Sequence, residues 1–359
     1  MMDAAIVGYG TLGRAIHRVL AQSSAARLSV VVDCAPALVG VPAVADLGPP
    51  GPAIVAALPP ATVPTVLFHA TGSDPDAVTH EILAAVRSGY HVISAAEWLF
   101  HPWMRYAERA DEIDRAARVA GVTVLGCGIN PGFCFESLPV LIARTIGRID
   151  SVEILRVSDV SGIGPSDFAH LGFGLTPDQF AAGVLDGHIV GHMGFPESVA
   201  ALGECVGLSI DAISDRLAPI PAGAPIQLAH RLVAAGEVAG LVQTAIGYRD
   251  DATPIRMVLE MYLDPVSAGR TPCERVRLAG SRTVQVSVEP GSPAVAGAAA
   301  MMVEAAHAVA ACAPAAGLIS LFDLPAGGGR LTRHLKAVAE QRDGSGTRID
   351  LAAVPFAEL

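Results

Sequence analysis

From residue 4 to about residue 125 the chain alternates two patterns. Short, largely apolar runs at 4–7, 28–32, 65–70, 91–94 and 122–125 are too brief for helices and suit strands buried on both faces. Between them apolar residues recur at helical spacing, at Leu12, Ile16, Val19 and Leu20, then at Val78, Ile82, Leu83 and Val86, and again over 103–119. A small apolar piece at 54–58 interrupts a proline-rich connection. Strands alternating with helices predict an α/β fold with a Rossmann-type, doubly wound parallel sheet. Ligands of such a sheet lie beyond the carboxyl ends of its strands.

After about Gly132 the texture changes. A helix is expected at 135–146, followed by long β-like segments at 151–160, 238–248, 256–262 and 275–288. Helices are expected near 177–184 and 197–206. This is a second, α+β domain. The Ala-rich stretch 294–313 predicts a helix that packs back on the first domain, with 318–324 after it. The expected organisation is a dinucleotide-binding domain at 1–132, a substrate and dimerisation domain at 133–292, a returning segment at 293–326 and a loosely attached tail at 327–359.

Composition narrows the partners. The net charge is −11 and Lys336 is the one lysine, so there is no basic stripe for nucleic acid or an anionic membrane surface. The stretch 47–70 is uncharged but broken by prolines, and 294–313 carries Glu304 and His307, so neither predicts a membrane span. The six cysteines are scattered without a C-x-x-C pair, which predicts reduced thiols in a cytoplasmic protein. No His, Cys and Asp cluster has metal-ligand spacing, and no metal is expected.

The stretch AAIVGYGTLG contains the chemistry that organises the rest. Gly8, Gly10 and Gly13 follow a strand and open a helix, the arrangement that cradles a pyrophosphate at a helix N-terminus, with Thr11 and Leu12 in the same turn. Asp33 ends the next strand, twenty residues after Gly13, where an acid meets a ribose. Thr71 and Gly72 follow a further strand and belong at the same edge. NAD is the expected cofactor ahead of NADP, because a carboxylate repels a 2′-phosphate and Cys34, Ala35 and Pro36 bring no cation; Arg14 keeps NADP open.

Two more loops leave strands at that edge, SAAEWLFHPW and LGCGINPGF. Glu97 lies among Ala95, Ala96, Trp98 and Leu99. A carboxylate in apolar surroundings is costly unless partnered and suits acid–base chemistry near neutral pH; the alternatives are a helix cap or a solvated side chain. Asn130, between Gly128 and Gly132, has an amide able to orient a substrate nitrogen or a carboxamide, unless it is an ordinary turn residue. His192 in GHMGFPES is a candidate substrate contact or a structural histidine. Phe133 and Phe168 are pocket wall or core. Cys127 and Cys134 are read as small core residues.

Taken together, HVISAAEWLFHPW, GCGINPGF, GLTPDQF, GHMGFPES and GLISLFDLP resemble the 2,4-diaminopentanoate dehydrogenases and the related native amine dehydrogenases, which have a dihydrodipicolinate-reductase-like fold. The resemblance runs in order over roughly 3–325. It implies NAD(P)-dependent oxidative deamination of an amine, or reductive amination of a small ketone or aldehyde with ammonia, in a homodimer. The family's catalytic carboxylate falls on Glu97 and its loop asparagine on Asn130. Where the diaminopentanoate enzymes carry a second acid this chain has Trp98, and Ala95-Ala96 replaces a small polar pair, which favours a simpler, less polar substrate. The His-His and Lys motif of a true dihydrodipicolinate reductase is absent. The competing readings are a true 2,4-diaminopentanoate dehydrogenase, an ammonia-independent carbonyl or imine reductase, and a non-catalytic dinucleotide-binding sensor.

Overall fold

A computed structural model describes residues 1–44, 50–229 and 231–324. In chain order the first half gives β1 (Met2–Val7), α1 (Thr11–Ala21), β2 (Ala26–Val32), β3 (Ile54–Val55), β4 (Thr65–His69), α2 (Pro75–Arg87), β5 (Tyr90–Ser94), α3 (Ala107–Ala120) and β6 (Thr123–Gly126). Next come α4 (Leu138–Ala143), β7 (Ile149–Asp159), α5 (Pro165–His170), α6 (Pro177–Leu185), α7 (Phe195–Val206), β8 (Ala212–Pro221), β9 (Ile226–Gln227) and β10 (Leu232–Val233). They are followed by β11 (Val238–Arg249), β12 (Ala252–Tyr262), β13 (Cys273–Gly280) and β14 (Val284–Val288). The described chain closes with α8 (Ala294–Cys312) and β15 (Gly317–Leu318).

The first sheet has the order β15-β6-β5-β4-β1-β2-β3, every pair parallel. Six of its strands follow the doubly wound order, and the order of winding reverses between β1 and β4 while the strands stay parallel. Continuous apolar runs form here because both faces are covered. On β1, Ala4 and Ile6 pack with α1 and α8, through Ile16, Met302 and Val303, while Ala5 packs with α2 and α3, through Val78, Ile82 and Ile113. Helix α8 is long and apolar enough by composition to cross a membrane; here Met302, Val303, Ala306 and Val309 are buried in this core.

The second sheet, β14-β13-β7-β12-β11-β8, is antiparallel except for β7 against β12. Helix α7 covers it, with Val199 and Leu202 set among Ile154, Leu241, Ile255 and Met257.

Local chemistry moves several expected boundaries. The helix expected over 103–119 starts only at Ala107, after two 3₁₀ turns, Glu97–Phe100 and Pro102–Met104, which bury Trp98, Leu99 and Phe100. The helix expected at 135–146 is a wide turn, Phe133–Ser137, leading into the short α4 with Pro139 in its first turn. The segment 275–288 is two antiparallel strands. Strand β8 was not visible as a strand because it is a polar edge strand, with Asp215, Arg216, Pro219 and Pro221. The tail expected at 327–359 lies outside the described residues.

Candidate functional site

Strand register sets Val7, His69, Ser94 and Gly126 side by side, so four loops leave one edge of the first sheet as neighbours. In the first of these loops, Gly8 adopts φ +89°, and a Cβ there would stand 2.4 Å from the Ala70 carbonyl oxygen. A Cβ on Gly13 would stand 2.0 Å from the Gly8 oxygen, so helix and strand pack backbone to backbone. Gly10 faces open space, and no side chain caps the start of α1 at Thr11, Leu12 and Gly13. Asp33 is anchored beside this turn: its Oδ2 accepts the Tyr9 N–H at 2.7 Å and its Oδ1 the Ala35 N–H at 2.8 Å.

The loop after β4 carries Thr71, Gly72 and Ser73. Thr71 donates its hydroxyl to Glu81 at 2.7 Å, and His69, buried, bridges Glu81 and Ser94. That bond from His69 is the main reason the Glu81 carboxyl titrates lower than usual. Gly72 faces open space. The Ser73 hydroxyl donates to Oε2 of Glu97, which begins the 3₁₀ turn after β5. Glu97 is half-buried and therefore has a polar partner, where the sequence indicated only apolar surroundings. Its turn rests directly on β6: a Cβ on Gly126 would stand 2.5 Å from the Leu99 carbonyl carbon.

The second sheet's unit meets Glu97 through residues 191–194. A Cβ on Gly194 would lie 3.1 Å from the Glu97 Cβ. His192 is close enough to feel the Glu97 charge, which raises its pKa against a larger lowering by burial; the net shift is downward and favours the neutral ring. Its Nδ1 lies 2.8 Å from the Met193 carbonyl oxygen, which can only accept, so Nδ1 carries the proton and Nε2 is left as an acceptor. Gln243, fully buried, clamps the backbone of His192 from both sides, at 2.8 and 3.0 Å, and donates to Asp215. Asp215 is pushed up to about 6, chiefly by desolvation.

The loop after β6 presents Asn130, 7 % exposed, with neither amide atom hydrogen-bonded among the described residues. Such a buried group requires a ligand or a water as partner. Glu136, fully buried, holds the loop by accepting the Gly132 N–H at 2.7 Å, and burial pushes its carboxyl up to about 7. Arg156 is buried nearby; its charge acts on Glu136, Cys134 and His192, and its guanidinium donates to the Ser292 carbonyl at 3.2 Å. Burial pushes both the Cys127 and Cys134 thiols far above neutrality, which keeps them protonated near neutral pH.

The model of the 2,4-diaminopentanoate dehydrogenase C-terminal domain matches residues 133–339. A 2,4-diaminopentanoate dehydrogenase of Acetoanaerobium sticklandii is 32 % identical over 241 residues, covering 67 % of this chain and 68 % of that protein. The chain belongs to the 2,4-diaminopentanoate dehydrogenase family. It is a dehydrogenase, and the open glycine turn, the uncapped start of α1 and the anchored Asp33 fit the pyrophosphate and ribose of a nicotinamide dinucleotide. The fold is also that of the amine dehydrogenase from Mycobacterium smegmatis, with a TM-score of 0.77 at 19 % identity, over 90 % of this chain and 96 % of that one.

Of the residues singled out in the sequence, Gly8, Gly10, Thr11, Leu12, Gly13, Asp33, Thr71, Gly72, Glu97 and Asn130 lie in loops or helix starts at one sheet edge, with His192 facing Glu97. Phe168 does not join them: it packs in the second core against Phe173, with the Arg231 guanidinium 5.2 Å from its ring centroid. Phe133 lines an apolar hollow between α4, α8 and residues 321–324. Trp98 is fully buried between the sheet, α2 and α3, its ring tilted against Tyr106 with centroids 5.0 Å apart. Its ring therefore does not set the polarity of the cleft. Ser73, Glu136, Gln243 and the Arg105–Glu197 pair had escaped notice. Only their position in space distinguishes them from ordinary polar residues.

Proposed function

We propose that this chain is an NAD-dependent amine dehydrogenase that interconverts an amine with a carbonyl compound and ammonia, with Glu97 as its catalytic carboxylate. The observation that carries the reading is the meeting of Glu97 with His192 and Gly194 at the edge that also bears the glycine turn. When bound, the nicotinamide exchanges a hydride with the amine-bearing carbon. Gly10 and the first N–H groups of α1 hold the pyrophosphate, and Asp33 holds a ribose hydroxyl pair. Thr71 and Gly72 flank the cofactor.

In the deaminating direction Glu97 accepts the proton that the substrate ammonium must lose before hydride leaves its carbon. After that proton has passed to solvent, the carboxylate takes one from the water that adds to the iminium carbon and delivers it to the nitrogen, which leaves as ammonia while the carbinol O–H proton returns to the carboxylate. In the aminating direction the same carboxylate returns these protons. His192, neutral with Nε2 free, accepts a hydrogen bond from the substrate nitrogen. Asn130, with both amide atoms unpartnered, orients the carboxamide or the substrate nitrogen. Closing these groups between two sheets excludes water and aligns the reactants.

A small aliphatic amine is the first reading for substrate. 2,4-Diaminopentanoate is the second, favoured by the relative from A. sticklandii that carries that name. The test follows NADH oxidation with small ketones and aldehydes, with and without ammonium, and NAD reduction by 2,4-diaminopentanoate. Oxidation that requires ammonium supports the amine dehydrogenase, whereas turnover without ammonium replaces it with a carbonyl reductase.

A further inference from the structure

Glu97 begins a turn of only four residues and is half-buried, so its backbone alone leaves the carboxylate free to rotate. The group that restrains it comes from the loop after β4. Ser73 donates its hydroxyl to Oε2, and Ser73 sits in a segment pinned at both ends. Before it, the Ala70 N–H bonds the Val7 carbonyl at 2.8 Å and Thr71 bonds Glu81 at 2.7 Å. After it, Asp74 caps α2 by accepting the Ala77 N–H at 2.9 Å, with Pro75 at the first helical position. The donor is therefore a rigid point.

We propose that Ser73 is a positioning residue, which holds the Glu97 carboxylate by Oε2 so that Oε1 faces the substrate nitrogen. The inference rests on Glu97 being the catalytic carboxylate. One short segment then sets two things: Thr71 and Gly72 meet the cofactor, and Ser73 aims the acid at the substrate nitrogen. The Glu97 charge reaches His192, on which the Arg156 charge also acts; the hydroxyl of Ser73 is neutral and orients the carboxylate without altering the charge of the cleft.

The experiment uses the full chain as wild type, Ser73→Ala, Ser73→Thr, Glu97→Gln and the Ser73→Ala/Glu97→Gln double variant. Turnover is read with the substrate that wild type accepts, either 2,4-diaminopentanoate with NAD or a small aliphatic ketone with ammonium chloride and NADH. NADH affinity is read by fluorescence, and crystal structures of wild type, Ser73→Ala and Ser73→Thr locate the carboxylate.

Loss of the hydroxyl is expected to lower kcat about 10- to 100-fold through misplacement of the acid. NADH affinity should stay within about twofold, and Ser73→Thr should restore kcat. In the Glu97→Gln background Ser73→Ala should add nothing beyond about twofold, because the two act as one unit. In the crystal the carboxylate should leave its place in Ser73→Ala and keep it in Ser73→Thr. An unmoved carboxylate, an unchanged kcat, or a full loss that persists in the Glu97→Gln background overturns the role of Ser73. Wild-type turnover by Glu97→Gln instead removes Glu97 from catalysis, and that outcome is read separately.

Discussion

Arg105 and Glu197 join the two sheets through a two-pronged ion pair, with Nε and Nη2 of the arginine at 2.6 and 2.7 Å from the two carboxylate oxygens. Arg105 comes from the segment that follows Glu97 and is 44 % exposed, whereas Glu197, in the first turn of α7, is fully buried. Truncating the arginine leaves a buried carboxylate without its partner. Arg105→Ala is expected to cost on the order of 2–4 kcal/mol, the exposed arginine drawing the figure below that of a fully buried pair. Adding Glu197→Gln should recover most of it. Thermal unfolding of the two variants checks this; equal losses in both would mean that the pair contributes nothing as a pair.

Glu136 makes stability depend on pH. Burial raises its folded pKa to about 7 from an ordinary value of 4.5. A raised carboxyl stabilises the fold below the ordinary value, where both states are protonated, and that contribution is lost as pH rises through the folded value. Relative to Glu136→Gln, wild type should therefore weaken between about pH 4.5 and 7 by on the order of 3 kcal/mol. Gln keeps an acceptor for the Gly132 N–H, so the loop with Asn130 is retained. Unfolding at pH 5 and pH 8 for both proteins measures the difference; parallel curves would place an ionised Glu136 in the folded state throughout.

How much of this was readable depends on the range of the interaction. The strands of the first sheet are buried on both faces, so Ala4–Val7 and Thr65–His69 were plain as apolar runs. The glycine turn and Asp33 follow from covalent spacing, and Glu97 and Asn130 from their place after strands. Strand β8 is half-exposed at an edge and carries no such pattern. Ser73 and Gln243 act on partners fixed only by the fold, at 24 residues' separation for Ser73 and Glu97 and 51 for Gln243 and His192, whereas Glu136 bonds Gly132 only four residues away and owes its burial to the fold. Trp98 shows the converse: it neighbours Glu97 in sequence, yet its side chain lies on the other side of the turn, in the core.

Asp33 should decide between the two dinucleotides. Its carboxylate is fixed by the backbone of Tyr9 and Ala35 and cannot swing away from a 2′-phosphate. Arg14, the nearest expected counter-charge, lies 4.7 Å from the Tyr9 ring centroid. NAD is expected to be used with higher kcat/KM than NADP. Asp33→Ser should narrow that ratio by about tenfold or more, removing repulsion while keeping a small polar side chain at the strand end. Steady-state kinetics with both cofactors checks it, and an unchanged ratio in the variant would move the discrimination elsewhere.

Gly126 tests whether the place of Glu97 is set by backbone packing as well as by Ser73. A methyl group there would meet the Leu99 carbonyl carbon at 2.5 Å and the Phe100 nitrogen at 2.6 Å, backbone atoms that cannot yield as a flexible side chain does. The 3₁₀ turn must shift, and Glu97 with it. Gly126→Ala is expected to destabilise the fold by about 1–3 kcal/mol, as overpacking does. It should also lower kcat about 10²-fold, because a displacement of about an ångström suffices for that loss. NADH affinity should hold, since β5 and β4 both lie between β6 and the strand that leads into the glycine turn. The paired measurement separates the causes: a kcat loss at temperatures where the variant is fully folded reports displacement of the carboxylate, whereas activity that tracks only the folded fraction would leave Glu97 insensitive to the packing beneath it.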